Sequence, residues 1–167
     1  MGTLNRANHR PKSPDSQEEA LKSALRFLSY RARSEAEVLT HLSRKGFSAA
    51  AGEQTLRKLR SFNYINDESF AHHWALSRAE SRGYGPQRIE QELKAKGIVQ
   101  PMIQDVLAAT FGAGDENKRA KALLDKKFRG VNLRDPKTLR RAGAFLQRRG
   151  YSSQVIVDLM RRRAEED

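Results

Sequence analysis

Apolar side chains recur three and four positions apart through most of this chain, and no stretch alternates with period two for long. That spacing predicts helices with one buried face and no β-sheet. Ser16 with Glu19 and Ser34 with Glu37 have the form of capping boxes, each opening a helix. The first helix carries Ala20, Ala24, Phe27 and Leu28; the second carries Val38, Leu39 and Leu42. A third follows Ser48 and carries Leu56 and Leu59. Asn66 and Asp67 are placed to cap a fourth, with Phe70 and Trp74, at i and i+4, expected in the core. Gly85–Pro86 and Asp135–Pro136 begin two more, with Pro at the first helical position.

One hexapeptide pattern occurs three times, as LSRKGF (42–47), LKAKGI (93–98) and LQRRGY (146–151). With its Leu at position C3 of a helix, each Gly falls at C′ and each large apolar residue at C″, which is the Schellman arrangement. The cation before each Gly suits the negative end of the helix dipole. Six, nine and ten positions beyond each Gly lie Gly52, Thr55 and Leu56; Ile103, Val106 and Leu107; and Ile156, Leu159 and Met160. A helix is expected before each pair, around 18–32, 68–82 and 116–129. The chain therefore reads as all-α: three tandem three-helix repeats forming an elongated, curved helical array. The segments are a disordered basic tail at 1–15, repeats at 16–65, 66–112 and 113–163, and an acidic end at 164–167.

Charge sharpens this picture. The 167 residues hold 32 Lys and Arg against 20 Asp and Glu, a formal net charge of +12. Residues 118–163 alone hold 15 basic and three acidic side chains. Such local excess points to a polyanionic partner, nucleic acid or an acidic protein surface. There is no cysteine, which removes disulfide and thiolate chemistry. No apolar run has the length of a membrane span, and the N-terminal residues lack a secretory core or a myristoylation signal, so a cytoplasmic location without a membrane role is expected.

Catalysis finds little support. The histidines are His9, His41, His72 and His73; the adjacent pair points about 100° apart on a helix, unlike an i,i+4 metal pair. Glu90 with Lys94, Glu92 with Lys96 and Glu53 with Arg57 are spaced as surface ion pairs. GYGPQR (83–88) lacks phosphate-loop spacing and a preceding strand. A non-enzymatic protein with no cofactor and no metal is expected.

YINDESFA (64–71) followed by GYGPQRIEQELKAKGI (83–98) resembles the second repeat of the regulatory protein RecX family, including its G-x-x-R-I-x-x-E-L-x-x-K-G-I run. ALRFLSYRARSEAEVLTHLSRKGF (24–47) is similar to that family's first repeat with its R-x-R-S-x-x-E-L element. Val38 stands at the usual Leu position and Asn66 at the first Asp of an I-D-D signature. The likeness covers about residues 20–112 well and extends through the third repeat by spacing and LQRRGY. It implies a modulator that lies in the groove of RecA–DNA filaments and suppresses ATP hydrolysis, strand exchange and repressor self-cleavage, as part of DNA repair by homologous recombination and the SOS response.

The expected partners are thus a RecA filament and, without sequence preference, single-stranded and duplex DNA, with the protein itself a monomer. A helix-turn-helix protein acting directly on duplex DNA is the alternative that charge and short helices leave open. A helical scaffold for RNA or ribosomes rests on charge alone. Between Pro136 and Val157 there are five basic residues, Lys137, Arg140, Arg141, Arg148 and Arg149, and no acidic one. Leu139, Ala142 and Leu146 are expected to be buried, leaving Lys137, Arg141 and Arg148 on another face. Arg88, Arg31 (with Arg33 in the R-x-R-S element) and Tyr84, which is flanked by Gly83 and Gly85, complete the candidate binding residues. A packed role for Tyr84, closing its turn, is equally compatible with its place.

Overall fold

A computed structural model describes residue 11 and residues 13–165. Most of the expected basic tail, and the last two residues of the acidic end, lie outside the described residues. Among those described there are nine helices and no strand: α1 (Gln17–Leu28), α2 (Glu35–Lys45), α3 (Ala49–Ser61), α4 (Asp67–Arg82), α5 (Pro86–Ala95), α6 (Gln100–Thr110), α7 (Asp115–Lys127), α8 (Pro136–Arg149) and α9 (Ser153–Glu165). The fold is all-α. Two compact units divide at Phe70 and Ala71, within α4, so each is described by itself.

The helix ends follow from local chemistry. Ser16 accepts from the Glu19 amide, and Ser34 and Glu37 form a complete capping box. All three hexapeptides are Schellman caps. Phe47, Ile98 and Tyr151 donate backbone N–H bonds to the carbonyls of Leu42, Leu93 and Leu146, at 3.1, 3.1 and 3.2 Å. Gly46, Gly97 and Gly150, all left-handed, donate to Ser43, Lys94 and Gln147 at 2.9 Å. A fourth cap has Asn63 in the glycine's place: φ is +55°, Asn63 donates to Arg60 and Tyr64 donates to Leu59. Asn tolerates the left-handed region better than other residues with a Cβ, so α3 ends there. The first helix stops at Leu28, where its apolar pattern ends and short of the expected residue 32, and the Ser29 hydroxyl donates to the Arg26 carbonyl there.

Unit 1 packs α1, α2 and α3 around Ala20, Ala24, Val38, Leu42, Leu56 and Leu59. The two alanines, one turn apart, let the neighbouring helices come close. Phe27 and Leu28, at the end of the same stripe, are half-buried. The described start of the chain joins this unit, where the Pro14 carbonyl accepts from the Ser48 amide at 2.9 Å.

In unit 2, α5 packs on α6, and α7, α8 and α9 enclose Ala120, Leu124, Ala142, Leu146, Tyr151, Val155 and Leu159. Two departures from the periodic reading occur here. The buried stripe of α8 is Thr138, Ala142 and Leu146, strictly four apart, and it leaves Leu139 half-buried. In α9 the buried pair is Val155 and Leu159, with Ile156 and Met160 only partly covered.

Gly85 explains the sequence GYGPQR. Its amide donates to the Arg149 carbonyl at 2.8 Å, and the Gln87 amide donates to the Gly150 carbonyl at 3.0 Å. Free N–H groups opening α5 thus meet free carbonyls closing α8, each satisfying the other's end. A Cβ on Gly85 would lie 2.5 Å from the Gly150 oxygen and 2.7 Å from the Tyr151 nitrogen. The backbones touch where side chains are missing.

Candidate functional site

The basic candidates on α8 divide by one helical step. At 3.6 residues per turn, Lys137, Arg141 and Arg148 fall within about 40° of one another, centred about 120° round the helix from the Thr138–Ala142–Leu146 stripe. All three are exposed, as is Arg140 on the flank of that face. Among the described residues none of these four forms an ion pair. Asp135, the nearest carboxylate along the chain, is the N-cap: it accepts from the Thr138 amide and hydroxyl, both at 2.8 Å. Those bonds, with a smaller contribution from Arg140, hold its carboxyl below the usual range, so it stays ionised as a cap. What remains is an exposed row of fixed positive charge on a rigid helix, suited to phosphates or carboxylates.

Arg149 turns the other way. It is half-buried, donates to the Arg82 carbonyl, and lies 5.2 Å from the Phe145 ring and 5.7 Å from the Tyr84 ring. Arg88 lies 5.5 Å from the same Tyr84 ring and 3.7 Å from Glu92. Tyr84 is half-buried, with both guanidinium groups near its ring, beside the Gly85–Gly150 junction. Arg88, Tyr84 and Arg149 are therefore one cluster, in which Arg88 is exposed and the other two are half-buried.

Glu92 anchors this region. It accepts from the Trp74 indole N–H at 2.9 Å and from Arg78 at 2.8 Å. Arg78 and Lys96 lie 4.1 and 4.7 Å from the Trp74 ring. Trp74 is therefore half-buried and not a core residue: its N–H needs an acceptor, and a partly wet carboxylate supplies one.

Arg31 belongs to unit 1. It donates to Glu37 at 2.7 Å and to the Ala32 carbonyl at 2.8 Å. Arg33 reaches Glu37 at 3.9 Å and stacks 4.0 Å from the Phe27 ring. Burial, and then Arg31, pull the Arg33 pKa down, while Glu37 pulls it back. The R-x-R-S element thus gathers its cations around the capping glutamate.

Of the described histidines, His72 and His73 are exposed, and His41 is half-buried against Phe27. Among the described residues no three His, Asp or Glu side chains are grouped to hold a metal ion. No described helix is long and apolar enough to cross a membrane.

Three family models match in order: the first three-helix domain of RecX over residues 20–59, the second over 66–107 and the third over 115–160. The chain belongs to the RecX family. Regulatory protein RecX of Mycobacterium ulcerans (strain Agy99) is 34% identical over 149 residues, which cover 88% of this chain and 86% of that one. Regulatory protein RecX of Trichlorobacter lovleyi is 32% identical over 139 residues, 82% of this chain and 90% of that one. The crystal structure of RecX from Lactobacillus salivarius matches with a TM-score of 0.71 over 92% of this chain and 99% of that one, at 20% identity. A second crystal structure, of a regulatory protein RecX, gives 0.73 over 87% of this chain and 73% of that one, at 26% identity. The family is one of regulatory proteins built from three three-helix RecX domains in tandem, and this chain has all three.

Proposed function

We propose that this RecX-family protein is an inhibitor of the RecA recombinase that binds in the groove of RecA–DNA filaments without catalysing a reaction of its own. Bound there, it suppresses ATP hydrolysis, strand exchange and co-protease activity. The observation that carries the reading is the row Lys137, Arg141 and Arg148: exposed, one-sided, and without an ion-pair partner among the described residues. Like charges on one face repel, and an anionic surface in a filament removes that repulsion. Arg140 flanks the row; Arg88, Tyr84 and Arg149 cluster beside the Gly85–Gly150 junction, and Arg31 offers a further contact from the first repeat.

The test is a titration of the protein into RecA, single-stranded DNA and ATP, with hydrolysis as the readout. Hydrolysis should slow at equimolar protein or below. The triple variant Lys137→Glu, Arg141→Glu, Arg148→Glu should keep its helical circular dichroism and lose most of the inhibition. Where phosphates are the target, the salt slope of binding falls by roughly 0.7–0.9 for each phosphate that is no longer neutralised. Where an acidic protein surface is the target, inhibition falls and affinity for bare DNA is unchanged. Hydrolysis untouched by wild-type protein across a broad titration refutes the function; a folded triple variant that inhibits fully refutes the assignment of the face.

A further inference from the structure

The first repeat carries a concavity that the row on α8 does not explain. It has a volume of about 450 Å³ and is bordered by Pro11, α1, Tyr30, α2 and Phe47. That volume is within the range of small-ligand sites, roughly 300–1,000 Å³, and takes a nucleobase with its sugar. Two properties set it apart from an ordinary surface hollow.

The first is its aromatic content. Phe27 and His41 are stacked, with centroids 4.1 Å apart and planes 3° from parallel. The Arg33 guanidinium lies 4.0 Å from the Phe27 centroid. Two groups centred so closely over one ring cannot share a face, so Arg33, Phe27 and His41 form a column. Ser23 hydroxyl and His41 Nε2 are 3.2 Å apart, which fixes the imidazole plane. Tyr30 also lines the concavity and is 78% exposed, far more than a tyrosine with only a packing role requires.

The second is charge. Lys22, Arg26 and Lys45 line the same space against a single carboxylate, Glu19. Among the described residues none of the three cations forms an ion pair. Burial, and then Lys45 and Arg33, lower the His41 pKa, so at neutral pH its ring is a neutral stacking surface.

We infer that this concavity is a binding site for single-stranded nucleic acid, with a base stacked against Tyr30 and the outer face of His41, at the end of the column, and flanking phosphates held by Lys22, Arg26 and Lys45. Rigid aromatic faces set beside cations are the arrangement that takes unpaired bases without regard to sequence. An acidic peptide would use the cations and leave the rings idle; duplex DNA would present phosphates and keep its bases stacked. The site goes beyond the filament reading and needs no recombinase.

The test uses the full chain and a fluorescent oligothymidylate of about 15 nucleotides, a length within the range that single-strand sites occupy. Binding is followed by anisotropy as a function of salt. Tyr30→Ala should weaken binding about tenfold with its salt slope unchanged, because the ring stacks on a base and neutralises no phosphate. Lys22→Glu with Arg26→Glu should weaken binding and lower the slope by roughly 0.7 for each phosphate released. These three side chains are exposed, so both variants should melt as the wild type does. An oligouridylate of equal length should compete on equal terms, and duplex or a polyglutamate peptide should compete poorly. Photo-crosslinking with a 4-thiothymidine oligonucleotide should label Tyr30 or His41. The inference fails where crosslinks map only to 136–149, where Tyr30→Ala binds as wild type does, or where polyglutamate displaces the oligonucleotide as well as unlabelled oligonucleotide does. None of these failures bears on inhibition of RecA, which is measured separately.

Discussion

Replacing Gly85 by Ala should destabilise the protein by about 1–5 kcal/mol, although the entropy of the unfolded chain taken alone favours Ala. Gly85 has φ −84° and ψ 174°, a conformation open to any residue, and Ala would reduce the entropy of the unfolded chain, a gain of about 0.4–1 kcal/mol. The cost arises where its Cβ would stand, 2.5 Å from the Gly150 oxygen and 2.7 Å from both the Gly150 carbonyl carbon and the Tyr151 nitrogen. These are backbone atoms of a Schellman turn and cannot rotate away as a side-chain end can. The start of α5 must therefore move off the end of α8. That motion breaks the Gly85–Arg149 and Gln87–Gly150 hydrogen bonds, worth about 0.5–1.5 kcal/mol each, and adds overpacking strain of about 1–3 kcal/mol. For a chain of this size the loss corresponds to a melting temperature lower by roughly 2–20 °C, followed by circular dichroism at 222 nm. Hydrogen exchange separates this junction from global loss, since the Gly85 and Gln87 amides should lose protection first. A variant that melts with the wild type and keeps both amides protected would refute the argument.

Gly143, inside α8, gives the opposite expectation. A Cβ there meets Ile156 and Met160 at 3.6–3.8 Å, ordinary contact, so Gly143→Ala should stabilise by about 0.5–1 kcal/mol through helix propensity, seen as a higher melting temperature. Tyr151 is 2% exposed, and burial, moderated by Arg119, raises its pKa to about 12. A phenol raised above its unfolded value near 10 contributes stability that is whole below pH 10 and lost as pH rises through 12. Tyrosinate absorbance should accordingly show a late step near pH 12 that Tyr151→Phe abolishes; a full phenolate signal by pH 10.5, with the fold intact, would sink this.

What could be read from the sequence was what depends on neighbours along the chain. The three Gly caps, the capping box at Ser34 and the proline starts at Pro86 and Pro136 are each set within a few residues, and periodicity sufficed for an all-helical fold in three repeats. The fourth cap is not legible in the sequence because Asn63 marks a left-handed turn less sharply than glycine does. Trp74 was misplaced because apolar spacing carries no information about where an indole N–H will find its acceptor, and Glu92 is 18 residues away. Among the basic candidates, a run of adjacent arginines hides the 100° step that sends Arg148 to solvent and Arg149 onto Tyr84. The pairing of Arg31 with Glu37 spans a helix start, outside the i,i+4 rule. The concavity of repeat 1 was invisible for a similar reason, since Phe27 and His41 stack across two helices and neither position is unusual alone.

The junction of Gly85 with Gly150 has a bearing on the charges beside it. A helix that ends in water draws its terminal cations toward its own last carbonyls, which occupies them. At α8 those carbonyls already receive the amides that open α5, so the main chain has discharged the terminus. Among the described residues Arg148 makes no bond to those carbonyls, and it stands exposed on the outer face beside a contact made by main chain alone. The molecule fixes this geometry with two hydrogen atoms where side chains would stand, and leaves the surrounding residue types free to answer to whatever the protein binds.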